Sequence, residues 1–248
     1  MNDLIPKAAA ESGHWYERSG KPAYEIVGAN GNTRPTTLRD ARKLDLVPSV
    51  TTIIRCAAAP ALENWKIDQG ILAALTLPRL ADEPERDFLA RVKRDSKEQA
   101  RKAAERGTAI HGAIEGHFRG QAPDAEFWPH VKAATAEIPP GEYKPERSFA
   151  HPLGYGGKVD LHNDVWMIDY KSKDGDLPES LYPEHVMQLA AYRRGLGVHS
   201  AQCGILFVSR NEPVSAKFVI ADQDELIRGL AMFDALLAYW RAMNKVAA

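Results

Sequence analysis

The chain has 248 residues, 44% of them hydrophobic and 26% charged, and a formal net charge of −1, which is ordinary for a globular protein with a sizeable core. This near-neutral balance excludes binding of nucleic acid through bulk charge, so such a partner would need basic residues concentrated locally. The cysteines Cys56 and Cys203 are too few for a cysteine-ligated zinc or iron–sulfur site and do not suggest a disulfide scaffold.

Residues 1–45 are polar and are predicted to form an N-terminal extension, with one strand or hairpin at the Asn-Gly turn of "YEIVGANGNTRP". The N-terminus lacks the apolar segment of a signal peptide, and no run of the chain approaches membrane-spanning length. We therefore expect a soluble, cytoplasmic protein. Residues 46–248 are predicted to form a single domain, with a helical part over 46–140 and a sheet core over 141–220.

The helical part is predicted to begin with two short helices separated near Pro60, with Ser49 or Thr51 as the N-cap of the first. A longer helix is predicted over residues 85–118, interrupted or bent at Gly107. Basic residues are concentrated in this segment, but acidic residues are interspersed among them. That mixture is typical of a solvated helix with ion pairs between successive turns.

The second half of the chain changes to a strand-rich pattern that ends in a long helix. Strands are predicted in "EYKPERSFAHP", "GYGGKVDLH" and "VWMIDYKSK", a helix in "PEHVMQLAAYRRGL", and two more strands in "QCGILFVSR" and "AKFVIA". The last helix is predicted over residues 222–246, with Asp222 and Glu225 as a capping box. This order predicts an α/β or α+β core behind a helical N-terminal half.

The second and third of these strands are predicted to form a hairpin. A two-residue turn at Asn163 and Asp164 would join strands 158–162 and 165–171 and would pair Asp160 with Met167. Because side chains alternate across a sheet, the opposite face of the hairpin is apolar and can pack into a core. That face carries Val159, Leu161, Trp166, Ile168 and Tyr170.

The other face of the predicted hairpin gathers Asp160, Asp169 and Lys171. Two carboxylates aimed at one point repel each other unless a cation lies between them, and Mg²⁺ takes oxygen ligands while keeping positions for water and phosphate. With a lysine as a positive point charge, such a site suits hydrolysis of a phosphodiester. The same residues also fit surface ion pairs on a solvated sheet face, and spacing alone leaves both interpretations open.

Motifs around this hairpin resemble those of a known superfamily. "VD" in one strand and "IDYK" in the next resemble the PD-(D/E)xK nucleases, with Asp160 and the Asp169-x-Lys171 unit as the signature. In the helix that follows, "QLAAY" resembles the Gln-x-x-x-Tyr motif of the RecB-like branch, with Gln188 and Tyr192.

Two further segments resemble the same branch. "RGTAIHGAIE" is similar to the helix that carries a metal-binding histidine, here His111, and "PERSFAHPLGYGGKVDL" is similar to the first two strands, with Glu146 ahead of the first aspartate. "PSVTTIIRCAAAPALENW" is similar to the N-terminal portion of phage and mitochondrial single-strand exonucleases of this branch, which includes the lambda-exonuclease relatives. The resemblance covers roughly residues 47–210, and its motifs stand in the family's order.

The resemblance implies a restriction-endonuclease-like core, with a mixed central sheet flanked by helices, and a metal-dependent DNA exonuclease. It implies Mg²⁺ or Mn²⁺ as cofactor and no iron–sulfur cluster, because members with that cluster use four cysteines. The implied metal ligands are His111, Asp160, Asp169 and the backbone carbonyl of Tyr170, while Lys171 would assist the attacking water and Gln188 and Tyr192 would steady the site. Glu115 and Glu146 are further ligand candidates, and both also fit ordinary exposed charges.

DNA with a linear single- or double-stranded end is the implied partner. Candidate DNA contacts are Arg101, Arg106, Arg193 and Arg194, and candidates for stacking on bases are Trp65, Trp128, Tyr155 and Tyr182. Family members serve phage recombination or DNA repair and maintenance in a bacterial or phage-infected cytosol, which suggests a recombinase or a single-strand-binding protein as partner, and a homo-oligomer. A non-catalytic DNA-binding or assembly module on a nuclease fold and a site-specific endonuclease are the alternatives.

Overall fold

A computed structural model describes residues 13–29, 31–57 and 60–246. The start of the expected N-terminal extension and Asn30 of the expected turn lie outside the described residues. The first half contains β1 (Trp15–Tyr16), β2 (Glu25–Val27), β3 (Thr33–Pro35), α1 (Leu38–Leu44), β4 (Val47–Pro48), α2 (Val50–Ile54), α3 (Pro60–Thr76), α4 (Glu85–Phe118) and α5 (Trp128–Glu137). The second half contains β5 (Lys144–His151), β6 (Tyr155–His162), β7 (Trp166–Lys173), α6 (Pro183–Gly195), β8 (Gln202–Ser209), β9 (Ala216–Ala221) and α7 (Gln223–Asn244).

A five-stranded mixed sheet forms the centre of the fold, in the order β5-β6-β7-β8-β9. Strands β7 and β8 are parallel, and the other neighbours are antiparallel. A parallel pair needs a crossover connection, which α6 supplies. Helices α2, α6 and α7 cover one face of the sheet, and α4 and α5 cover the other. The predicted α/β class is confirmed, and within the described residues no helix is long and apolar enough to cross a membrane.

Strands β7 and β8 are buried on both faces. Met167 and Phe207 belong to the core on the α6 side, whereas Ile168 and Leu206 belong to the core on the α4 side. A strand that is covered on both faces has no side in contact with water, so all of its side chains can be apolar. This explains the continuous apolar run "ILFV" in β8. The interpretation that the second face of the hairpin is solvated is therefore wrong.

Local capping signals mark the helix starts as predicted. Ser49 is the N-cap of α2, and its hydroxyl accepts the backbone N–H of Thr52 at 3.0 Å. Helix α3 begins at Pro60, a residue that suits the first helical position because its missing N–H is not needed there. Asp222 and Glu225 form the expected capping box on α7, with hydrogen bonds of 2.7 and 2.9 Å.

Helix α4 runs unbroken from Glu85 to Phe118, so the predicted interruption at Gly107 is wrong. Gly107 is buried, and a Cβ there would lie only 2.5 Å from Oγ of Ser172 on β7. The glycine therefore lets the helix approach the sheet closely. His111 lies one turn further along the same helix face, so this approach brings its ring to β7.

The described part of the N-terminal segment contributes to the core, whereas the sequence predicts an extension outside it. Trp15 and Ala41 are buried in the cluster that includes α6 and α7, and the Trp15 ring meets Trp240 edge to face at 6.1 Å. Strand β1 pairs with β4, which leads directly into α2. The segment is thus held beside β6 and the helices of the α6 face.

Candidate active site

The β6–β7 hairpin has a different register from the predicted one. Its ladder pairs His162 with Met167, so the expected pairing of Asp160 with Met167 is wrong by two residues. Asn163 causes the difference, since its side-chain oxygen accepts the backbone N–H groups of Val165 at 2.9 Å and Trp166 at 2.7 Å. An asparagine that caps its own turn in this way lengthens the loop.

The ladder between β6 and β7 contains only two residue pairs, at the turn end of the hairpin. Beyond them, Oδ2 of Asp160 accepts the backbone N–H of Tyr170 at 2.8 Å, so a carboxylate takes the place of a strand-to-strand hydrogen bond. Continuing the register places Asp160 opposite Asp169. The irregularity also moves Val159 to the core on the Met167 side, whereas Leu161 stays with Ile168 as predicted.

The Asp160 carboxyl titrates far from its usual range. Burial raises its pKa to about 7, and the negative charge of Asp169 contributes in the same direction. The hydrogen bond from Tyr170 and the positive charge of Lys171 oppose this rise. Two carboxylates are therefore concentrated at one point, as the hairpin argument predicts, and a cation beside them would relieve the repulsion.

Asp169 is nearly enclosed, with 3% of its surface exposed, and both of its oxygens have partners. Oδ1 accepts Nε2 of Gln188 at 2.9 Å, and Oδ2 forms an ion pair with Lys171. Burial opposes the charged form of Lys171, but Asp169 and Asp160 outweigh it and raise the pKa of the ammonium. Asp169 and Asp160 therefore favour the charged form of Lys171.

The Gln-x-x-x-Tyr pair lies on α6 against this strand. Nε2 of Gln188 also donates to the hydroxyl of Tyr192 at 3.0 Å. Both residues are buried, with 5% of the surface of each exposed. Burial raises the pKa of Tyr192 well above its usual value, so the phenol stays protonated. Gln188 is therefore hydrogen-bonded to Asp169 and to Tyr192 at once, so its amide is held against the aspartate.

His111 faces the same region from α4. Its Nε2 is buried and has no hydrogen-bond partner among the described residues, and its ring meets Tyr170 edge to face at 5.7 Å. Burial, and then the positive charge of Lys171, lowers the pKa of His111 to about 4. The imidazole is therefore neutral at physiological pH, which is the form that ligates metals.

The chemistry of these donors fits a hard divalent cation. Carboxylate oxygens of Asp160 and Asp169 and an unpartnered imidazole nitrogen of His111 are ligand types that Mg²⁺ and Mn²⁺ accept. The described residues do not contain three or more His, Cys, Asp or Glu side chains already drawn together as a metal-binding cluster. The site therefore has suitable donors, while Lys171 holds one of the Asp169 oxygens.

Glu146 and Glu115, the further ligand candidates, lie in a chain of ion pairs. Glu146 contacts Lys158 and also Arg119, at 2.8 Å, and Arg119 contacts Glu115 at 2.5 Å. These partners favour the interpretation as structural charges. Glu146 has a φ of 48°, which is strained for a residue with a side chain, and it lies opposite Asp160 in the β5–β6 register.

The candidate DNA-binding arginines all have partners within the chain. Arg101 pairs with Glu98 and Glu105, Arg106 with Glu126 and the carbonyl of Arg210, Arg193 with Gln223, and Arg194 with Asp234 and the hydroxyl of Tyr155. Only 17% of the Arg194 side chain is accessible to solvent. Tyr155 is fully buried, so the proposal that it stacks on a base is wrong, whereas Trp128 and Tyr182 are exposed.

Two tyrosines near the site, Tyr16 and Tyr24, are not predicted from the sequence. The hydroxyls of Tyr16 and Tyr24 are 2.7 Å apart, and a Cβ on Gly156 of β6 would lie 2.8 Å from the Tyr16 ring. Burial, the contact with Tyr24 and the charge of Asp160 all raise the pKa of Tyr16. The only signal in the sequence is the aromatic density of "HWYERSGKPAY", which matches no spacing motif.

The architecture that positions these residues has the mixed central sheet flanked by helices that the resemblance implies. An antiparallel β6–β7 hairpin bears the aspartates and the lysine, and α6 then crosses to a parallel β8. No family model matches the chain, and no curated protein matches it.

Solved structures with a similar course of chain include a candidate exonuclease from Eubacterium rectale, at 12% identity and a TM-score of 0.42, covering 58% of this chain and 69% of the other. An alkaline exonuclease from Laribacter hongkongensis is similar at 17% identity and a TM-score of 0.31, covering 72% and 93%. The protein SSO0001 is similar at 14% identity and a TM-score of 0.34, covering 71% and 86%.

Proposed function

We propose that this protein is a divalent-metal-dependent deoxyribonuclease that degrades linear DNA from an end. The observation that carries the proposal is the convergence of Asp160, Asp169 and Lys171 beside the unpartnered imidazole of His111. A purely structural ion pair needs one carboxylate for one ammonium. Here a second carboxylate is held close by, with a raised pKa, and a divalent cation would favour its ionised form.

Mg²⁺ or Mn²⁺, held by His111, Asp160, Asp169 and the carbonyl of Tyr170, would supply a Lewis acid and an acidified water. Asp169 and Asp160 favour the charged form of Lys171, which would assist the attacking water and stabilise the negative charge that a phosphate gains during hydrolysis. Gln188 and Tyr192 hold Asp169 in position through the hydrogen-bonded chain on α6. The enclosure of Asp169 keeps competing water away from that carboxylate.

Attack on DNA ends, a role in phage-type recombination or in DNA repair and maintenance, and a recombinase or single-strand-binding protein as partner are proposed on the resemblance. Each of the four candidate arginines has a partner within the chain, so these contacts do not identify the surface along which the DNA backbone would run. The enzymatic proposal depends on the aspartates and the lysine, and it can be tested without knowledge of that path.

The test is degradation of end-labelled linear single- and double-stranded DNA, beside a closed circle, with Mg²⁺, Mn²⁺ or EDTA. We expect metal-dependent loss of linear DNA while the circle stays intact, and the labelled end gives the polarity. A nicked circle would show an endonuclease. A retained gel shift without cleavage under any metal would show a DNA-binding module and would overturn the proposal.

A further inference from the structure

The N-terminal segment presents a pair of stacked rings at the surface. The rings of His14 and Tyr24 lie 4.5 Å apart at an angle of 27°, and His14 is exposed while Tyr24 is half-buried. An exposed stacked pair leaves an outer ring face in contact with water, and a further flat ring can continue the stack. This pair was not among the stacking candidates of the sequence.

The ring pair is held rigidly by its backbone and by Tyr16. The carbonyl of His14 accepts the N–H of Ser49, the N-cap of α2, at 2.8 Å, and the carbonyl of Tyr24 accepts the N–H of Thr36 at 2.9 Å. The Tyr24 hydroxyl contacts that of Tyr16 at 2.7 Å. A platform whose parts are fixed before binding loses little entropy when a ligand arrives.

The same contacts place the ring pair beside the aspartates. Tyr16 lies on Gly156 of β6, four positions before Asp160, and the charge of Asp160 contributes to its raised pKa after burial and Tyr24. Tyr24 likewise interacts with Tyr192, whose pKa is raised chiefly by burial and then by the aspartates. The stacked rings are therefore connected through Tyr16 to β6, the strand that carries Asp160.

An exposed cation ends the short helix α2, whose N-cap Ser49 is hydrogen-bonded to the carbonyl of His14. Arg55, at the C-terminal end of α2, is exposed, and its side chain has no hydrogen bond or ion pair with any other described residue. Its charge reaches His14, because partial burial, then Arg55 and then Lys158 lower the pKa of that imidazole. The candidate DNA-binding arginines, in contrast, all have partners.

We propose that His14, Tyr24 and Arg55 form a platform that binds one nucleotide of a single-stranded DNA, with its base stacked on the rings and its phosphate at Arg55. Bases of a duplex are already stacked and offer no free face, so the platform assigns single-stranded DNA as the substrate class. This assignment rests on the proposed nuclease function, but the binding itself does not require cleavage.

The experiment measures fluorescence anisotropy of a labelled single-stranded oligonucleotide in EDTA, where no hydrolysis takes place. We expect His14→Ala to weaken binding about tenfold, as the loss of one base stack does. His14→Phe should retain the affinity because it keeps a flat ring. Arg55→Ala should weaken binding. It should also reduce the slope of log K against log salt concentration by about 1, the value for one lost phosphate contact. Tyr239→Ala and Arg228→Ala remove an exposed aromatic and an exposed arginine on α7 and should change nothing.

A direct readout is an oligonucleotide with 2-aminopurine at its end, because the fluorescence of that base is quenched when it stacks. Quenching by the wild type and by His14→Phe, but not by His14→Ala, is the expected result. Unchanged affinity of His14→Ala, an equal loss in Tyr239→Ala, or binding of a blunt duplex as tight as that of the single strand would overturn the platform. Wild-type binding that depends on His14 without cleavage under any metal would support the platform and refute the nuclease.

Discussion

Nε2 of Gln188 lies 2.9 Å from Oδ1 of Asp169, and this hydrogen bond ties α6 to the strand that carries the ammonium of Lys171. The same nitrogen donates to Tyr192 at 3.0 Å, so one amide fixes the aspartate to the helix. The relationship explains why a Gln-x-x-x-Tyr spacing accompanies the aspartates. The two side chains lie one helical turn apart and meet on one face.

Gln188→Ala should slow cleavage by about 10- to 100-fold, because a group that only orients a ligand of the metal has an effect of that size. Single-turnover rates at saturating Mg²⁺ measure the change, with Gln202→Ala on the exposed end of β8 as the control. A loss as complete as that from a change at Asp169, in a folded protein, would mean that Gln188 contacts substrate or metal directly.

Asp169→Asn should abolish cleavage while single-stranded DNA is still bound in EDTA. The substitution keeps the shape of the side chain but removes the charge that a divalent cation needs. Lys171 then loses its ion-pair partner, so we also expect a lower melting temperature, followed by circular dichroism. Asp174→Asn, which breaks the ion pair of the exposed Asp174 with Arg210 just beyond the same strand, is the matched control. Undiminished cleavage by Asp169→Asn would refute the site.

Features set by neighbouring residues could be predicted from the sequence, and those set by distant contacts could not. The caps at Ser49 and Asp222 involve residues three positions apart, so their patterns are visible in the chain. The predicted hairpin register is wrong because the Asn163 side chain, and not a standard two-residue turn, closes the loop. The role of Gly107 depends on Ser172, and no spacing rule connects them.

The candidate site divides in the same way. Asp160, Asp169 and Lys171 could be grouped because strand alternation and one hairpin relate them. The approach of His14 and Tyr24 to that group depends on tertiary packing of the N-terminal segment on β6, through Tyr16 and Gly156. Such packing has no periodic signature in a single sequence, so the segment was interpreted as an extension.

The pKa of Asp160 predicts how stability depends on pH in the metal-free protein. Its value is about 7 in the fold against 3.8 ordinarily, so between these pH values the folded state binds more protons than the unfolded chain. Stability should therefore fall as pH rises from about 4 to about 7. Asp160→Asn should remove this part of the slope, because the amide does not titrate.

Urea unfolding in EDTA across that pH range measures the effect, and added Mg²⁺ should reverse it by favouring the ionised carboxylate. Asp164→Asn, in the exposed turn of the same hairpin, is the control and should leave the slope unchanged. A slope that is identical in wild type and Asp160→Asn would show that the Asp160 carboxyl is already ionised throughout the range.

Gly229 on α7 predicts a packing effect that reaches the site through α6. A Cβ at this position would lie 2.7 Å from the backbone oxygen of Val186, two residues before Gln188, and that oxygen cannot rotate away. Gly229→Ala should force the helices apart and destabilise the fold by about 1–3 kcal/mol, although alanine favours a helix. The displacement of α6 should also slow cleavage. Gly70→Ala on α3 meets nothing within 4 Å and should stabilise the protein by up to about 1 kcal/mol. Urea unfolding of both variants measures the difference, and equal stabilisation by the two alanines would contradict the close contact between α6 and α7.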